Sequence, residues 1–230
     1  MAENLTQIKV YIESGEKTTF AAAIDWPGWC RLGKNEETAL QALFDYGPRY
    51  AQAIQSAQLG FQTPTYAAAL VVVERLKGNG TTDFGAPDAQ ISLDSTPLSS
   101  TDLQREQILL GACWQKFAQA IKAGTGKELR KGPRGGGRSL EKITYHVLEA
   151  CAAYLSQLGW KKFKVGEGAD PLAELERTRQ VVDTALAAAA AGELPTHKPR
   201  SGLHWPARYF VRRLAWHILD HAWEIEDRIL

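Results

Sequence analysis

The chain has 230 residues, with 27 lysines and arginines against 26 aspartates and glutamates, a formal net charge of +1. That balance excludes a global field that would draw in nucleic acid or an anionic membrane surface, and no window approaches the ~18 apolar residues of a membrane span. Cys30, Cys113 and Cys151 are scattered and form no Cys-x-x-Cys pair. This argues against a disulfide framework and a thiolate zinc site, and for reduced thiols in a cytoplasmic protein.

The first part of the chain is strand-like. Gln7–Glu13 alternates and is rich in branched and aromatic residues, residues 14–17 form a turn, and Thr18–Ile24 returns. Pro27 and Gly28 fix a further turn, because proline presets one dihedral and glycine permits the next. A short strand over Cys30–Leu32 follows. Asn35 then caps a helix with Glu36 and Glu37 in its first turn and Ala39, Leu40, Leu43 and Phe44 on its apolar face. Gly47-Pro48 breaks that helix, and a second piece runs to about Ala57. Leu70–Leu76 is a final strand whose near-continuous apolar character suggests burial on both faces.

This β-β-β-α-β order resembles the HicB-like fold of antitoxins. The resemblance is carried by Ala22-Ala23-Ile24-Asp25-Trp26-Pro27-Gly28-Trp29-Cys30 and by Gly33-Lys34-Asn35-Glu36-Glu37-Thr38-Ala39-Leu40. Antitoxins of that family continue into a DNA-binding part; no basic recognition helix follows here, which argues against a repressor. The resemblance implies a small module over residues 1–77. Residues 78–100, rich in glycine, proline and small polar side chains, form a boundary segment.

Beyond it the pattern is helical. Ser100-Thr101-Asp102 offers a cap for Leu103–Ala123, Ser139 caps Leu140–Leu158, Asp170-Pro171 starts a helix to Ala191, and Trp205-Pro206 leads into the last one. Four helices with moderate loops over residues 101–230 make an up-down four-helix bundle, and the whole is a two-domain α+β protein.

The last helix carries His217 and His221, four residues apart and so on one face. His146, beside Ile143, Val147 and Ala150, lies near the apolar face of the second bundle helix. A buried core histidine is the plain alternative there, but together the three offer a three-imidazole site with room for water or substrate. His197 and His204 are competing ligands. Glu149, three residues after His146, is a candidate general base, against the alternative of a solvated glutamate. Glu224, three after His221, could support that imidazole, and with Arg213 and Trp205 it could touch a substrate. Asp220 points about 100° away from His221 and reads as a surface carboxylate. Gly124-Thr125-Gly126-Lys127 lacks the residues of a phosphate loop, and the basic stretch Lys127–Arg138 reads as a solvated connection.

A histidine in the second helix with His-x-x-x-His in the fourth resembles the DinB/YfiT-like family of metal-binding bundles, which includes bacillithiol and mycothiol transferases and maleylpyruvate isomerase-type enzymes. The carrying stretches are Gly135–Ala150 and Arg212–Asp227. The resemblance implies a divalent ion (zinc, nickel, iron or manganese) on His146, His217 and His221, with a low-molecular-weight thiol as co-substrate and a small electrophile as substrate. The alternative left open is a non-catalytic metal-binding or regulatory protein whose first module recruits a partner. An exposed strand edge or a bundle face could support a homodimer.

Overall fold

Branched and aromatic residues at alternating positions draw β1 (Ile8–Ser14) into the interior of a four-stranded sheet in a computed structural model that describes residues 7–131, 137–166, 168, 170–195 and 204–230. The chain divides into two compact units, Met1–Ser95 and Thr96–Leu230.

In the first unit β1 pairs antiparallel with β2 (Thr19–Ala23), which pairs antiparallel with β3 (Cys30–Gly33). Asn35 caps α1 (Glu36–Asp45) through a reciprocal bond pair with Thr38. The chain breaks at Gly47-Pro48 into α2 (Gly47–Ala53), then crosses over to β4 (Leu70–Lys77), which lies parallel to β1. The core between sheet and helices centres on Trp29, fully buried, with its indole Nε1 donating to the Leu43 carbonyl at 2.8 Å. Tyr50 stacks on that indole at 5.7 Å, and its hydroxyl donates to the Pro27 carbonyl at 2.9 Å. Gly28, at φ 93°, supplies the left-handed turn that aims Trp29 inward.

One expectation changes here. The apolar run of β4 suggested burial on both faces, yet β4 is an edge strand with Val73 51% exposed. The register skips from Val10↔Val72 to Tyr11↔Glu74, so Val73 is the extra residue of a bulge and turns outward. Part of the boundary segment after residue 77 packs back onto this unit. It forms the short helix α3 (Gly80–Phe84), and the fully buried Glu13 gathers its surroundings. The Glu13 carboxylate accepts from the Thr82 hydroxyl at 2.5 Å and from the amides of Asp88 and Ala89 at 2.9 Å.

The second unit holds α4 (Ser100–Gly124), α5 (Leu140–Leu158), α6 (Pro171–Ala191) and α7 (Ala207–Arg228). Ser99, not Ser100, caps α4, because only Ser99 stands three residues before Asp102 and closes the box with it. Ser139 and Asp170 cap α5 and α6 as their sequences suggest.

The bundle does not alternate up and down. The start of α7 meets the start of α4 through Arg208 and Asp102 at 2.6 Å, and their ends meet where Leu129 bridges Ile229. Thus α4 and α7 are parallel. α5 runs against α7: Arg228 reaches the Arg138 carbonyl at 2.9 Å, and the Trp205 amide reaches the Gln157 carbonyl at 2.8 Å. After α5 the chain travels back along α6. Trp160 lies near Thr184, Phe163 stacks under Arg177, and the Gly166 amide donates to Glu174 at 2.8 Å. α6 therefore starts at the end where α5 started, which gives up-down-down-up. The seven residues Trp160–Gly166 can reach ~20 Å, enough to pass the ~15 Å of helix between Thr184 and Glu174. Among the described residues no helix is long and apolar enough to cross a membrane.

Candidate metal centre

The stripe Tyr209, Arg213, Trp216, Leu219 and Trp223 keeps one side of α7 inside the bundle, and His217 and His221 fall in the same buried region, 5% and 9% exposed. Because α5 runs antiparallel to α7, His146 near the start of α5 comes level with the second half of α7. The three imidazoles converge, with ring centroids 4.6–5.0 Å apart. Their ligand nitrogens all lie within 4.8 Å of one another, and His146 is half-buried.

The Nε2 atoms of His146 and His217 are 3.2 Å apart. Such a distance suits an N–H···N bond between two neutral rings or two nitrogens on one cation; bonds of about 2.0–2.1 Å at tetrahedral angles set them ~3.4 Å apart. His221 is turned by its other nitrogen, Nδ1, which lies 2.7 Å from Glu224 Oε2. The buried Nδ1 of His217 has no hydrogen-bond partner among the described residues. The donor set therefore fits a divalent ion of the zinc, nickel or iron type, for which imidazole is a suitable ligand.

The electrostatics keep the His146 and His217 rings neutral. Burial, then His221 and the Arg138 cation, push the His146 imidazole down to about 4, with Glu224 opposing. Burial, the two neighbouring imidazoles, Arg213 and Arg138 hold His217 well below the ordinary value. Neutral imidazole is the form that ligates a metal. The Glu224 carboxylate is held low by its bond to His221 and by Arg228.

The other candidates divide. Glu224 bonds His221 and Arg228. Arg213 is buried with its guanidinium 4.9 Å from the Trp216 ring centre and 5.8 Å from that of Tyr154. Trp205, half-buried, sits 5.1 Å from Tyr154, whose ring is 5.7 Å from His217. Tyr154 and Trp205 thus form an aromatic wall on the side of the cluster toward the start of α7. Glu149 is exposed and makes no hydrogen bond or ion pair among the described residues, the solvated glutamate of the plain alternative. Asp220 is half-buried. His204 lies beside Gly159, at the far end of α5 from His146, and is outside the cluster. His197 lies outside the described residues. Cys113 and Cys151 are buried, and burial pushes both thiols up, away from nucleophilic use.

Sequence reasoning missed Arg228, although it stands four residues after Glu224 on the same helix face. It also missed Glu106 on α4, which precedes Leu109, Leu110 and Cys113 at helical spacing and so falls on the buried side. Burial raises the Glu106 carboxyl to about 7, and Arg105, at 3.3 Å, offsets this only in part. Its Oε2 has no partner among the described residues. A raised acid binds protons more tightly folded than unfolded, so its contribution is full below pH ~4.5 and is lost as pH rises through about 7. Glu106→Gln is therefore expected to gain about 3 kcal/mol over the native chain at pH 8 and nothing below pH 4.5. Urea unfolding at pH 4 and pH 8 measures this; an equal difference at both pH values would refute it.

Comparison with protein-family models, with characterised proteins and with solved structures found no match.

Proposed function

We propose that the second unit is a divalent-metal-dependent enzyme of the DinB-like kind, a thiol S-transferase or a hydrolase acting on a small electrophile. One observation carries this reading: three imidazoles from two helices, with ligand atoms within 4.8 Å, are gathered in a bundle interior. Three protein ligands leave a coordination position for water or substrate, as catalytic sites do and closed structural sites do not. A bound ion would supply the acidity that turns a thiol or a water into a nucleophile at neutral pH. In the transfer reaction the sulfur forms a bond to the electrophilic carbon, the leaving group departs with its electron pair, and the thiol proton passes to solvent.

The chain's own residues supply the surroundings. Tyr154 and Trp205 offer a flat apolar wall, and Arg213 adds positive charge near His217 that favours an anionic substrate. The three buried thiols are in keeping with a cytoplasmic protein.

A second reading, a metal-binding regulatory protein, rests on the outer edge of β4. Among the described residues that strand has no neighbour beyond β1, and a partner or a second copy could add there.

Elemental analysis after purification is expected to find about one divalent ion per chain, and the loaded protein is expected to consume a small thiol in the presence of an alkylating electrophile. A protein that takes up no ion on reconstitution would end the metal reading. One that binds the ion but turns over neither thiol nor hydrolysable substrate would favour the regulatory one.

A further inference from the structure

The imidazole of His221 has two nitrogens, and only the one without a proton can ligate. Its Nδ1 lies 2.7 Å from Glu224 Oε2. The second oxygen of that carboxylate, Oε1, accepts from Arg228 Nη1 at 2.6 Å. Arg228 is 6% exposed, and its other two nitrogens donate to backbone: Nε to the Arg130 carbonyl and Nη2 to the Arg138 carbonyl, both at 2.9 Å. Those two carbonyls belong to the connection between α4 and α5. The guanidinium is a rigid plane with donors in fixed directions and no acceptor. It can therefore present only a donor to Glu224 Oε1, and its charge helps keep Glu224 an ionised carboxylate, which has only acceptors.

Resting on the metal reading above, we propose that Arg228, acting through Glu224, is the positioning residue that fixes His221 with its proton on Nδ1 and its lone pair on Nε2. The carboxylate has no proton to give, so Nδ1 must donate to it. Nε2 is then free to face the other rings, as the Nε2 atoms of His146 and His217 already do. The centre is thus an all-Nε2 site whose third ligand is oriented by a relay from the backbone of the α4–α5 connection.

The relay makes an unusual demand on Glu224→Gln. Glutamine has one acceptor oxygen, and Arg228, which can only donate, claims it. The amide NH2 then faces His221 and drives its proton to Nε2, the nitrogen needed for the metal. Arg228→Lys keeps the charge but cannot reach two carbonyls and a carboxylate at once.

The test uses the full chain, stripped of metal, with nitrogen-15 NMR of the histidine rings and calorimetric titration with Zn²⁺. The native apo protein is expected to show His221 protonated on Nδ1. Glu224→Gln should show it on Nε2 and bind Zn²⁺ roughly 10–100-fold more weakly, and Arg228→Lys should weaken binding by about tenfold. Native His221 protonated on Nε2, or a Glu224→Gln protein with the native tautomer and a Zn²⁺ affinity within twofold of native, overturns the proposal. If a variant lowers thermal stability alone and leaves both tautomer and affinity unchanged, the relay is merely structural and the proposal fails. Should the native protein bind no Zn²⁺, the metal reading falls, while the tautomer measurement still decides the relay. Glu224, which is partly exposed, carries the test if Arg228→Lys does not fold.

Discussion

His217→Ala is expected to weaken divalent-metal binding by a hundredfold or more and to remove any metal-dependent turnover. Zinc held by a full protein site is worth about 10–16 kcal/mol, so each of three or four ligands carries about 3–4 kcal/mol, and the loss is correspondingly large in Kd. His217 is the member most enclosed by the site, with its Nε2 3.2 Å from that of His146 and its ring 5.7 Å from Tyr154. His204→Ala is the control. It is exposed beside Gly159, on the far end of α5, and should leave the affinity unchanged. Titration of both apo variants with Zn²⁺ or Ni²⁺ decides the matter; equal losses in the two would mean that the cluster is not the site.

The second large effect is expected in the first unit. Trp29→Ala should cost about 3–5 kcal/mol for the emptied volume and about 1–3 kcal/mol more for the buried Leu43 carbonyl left without its indole donor. Domains of this size are held by only about 5–15 kcal/mol in total, so the variant unit should lose about half of its stability or more. Trp29→Phe keeps most of the apolar contact with Tyr50 and Phe61 and loses chiefly the hydrogen bond. It should cost about 1–3 kcal/mol. Urea unfolding followed by near-ultraviolet circular dichroism separates them; an alanine variant as stable as the phenylalanine one would show that the packing around Trp29 is dispensable.

Local chemistry was legible in the sequence wherever a rule acts over a few residues. Asn35, Ser139 and Asp170-Pro171 start helices where a side-chain acceptor meets orphan amides, and the structure begins α1, α5 and α6 there. His217 and His221 could be placed on one face by spacing alone. What depended on the path of the chain in space was not legible. The valines of β4 read as a central strand, but burial is decided by how many neighbours the topology provides, and β4 has one on the sheet. The segment between α5 and α6 has no periodicity to announce that it doubles back, so the helix directions were wrong although the limits of α5 and α6 were right. Glu224 looked equally suited to substrate or to His221 because its choice is made by Arg228, whose own bonds go to residues about 90 and 98 positions away.

The contact between His146 and His217 spans 71 residues of chain. An ion held by both rings would act as a clip on a long loop, and keeping that clip in the unfolded chain would forfeit about 4 kcal/mol of its entropy. Ligands so distant cannot hold an ion in a chain that has not yet joined α5 to α7. Metal capture should therefore come after the bundle closes, and the temperature at which the bundle melts should rise with the concentration of free ion.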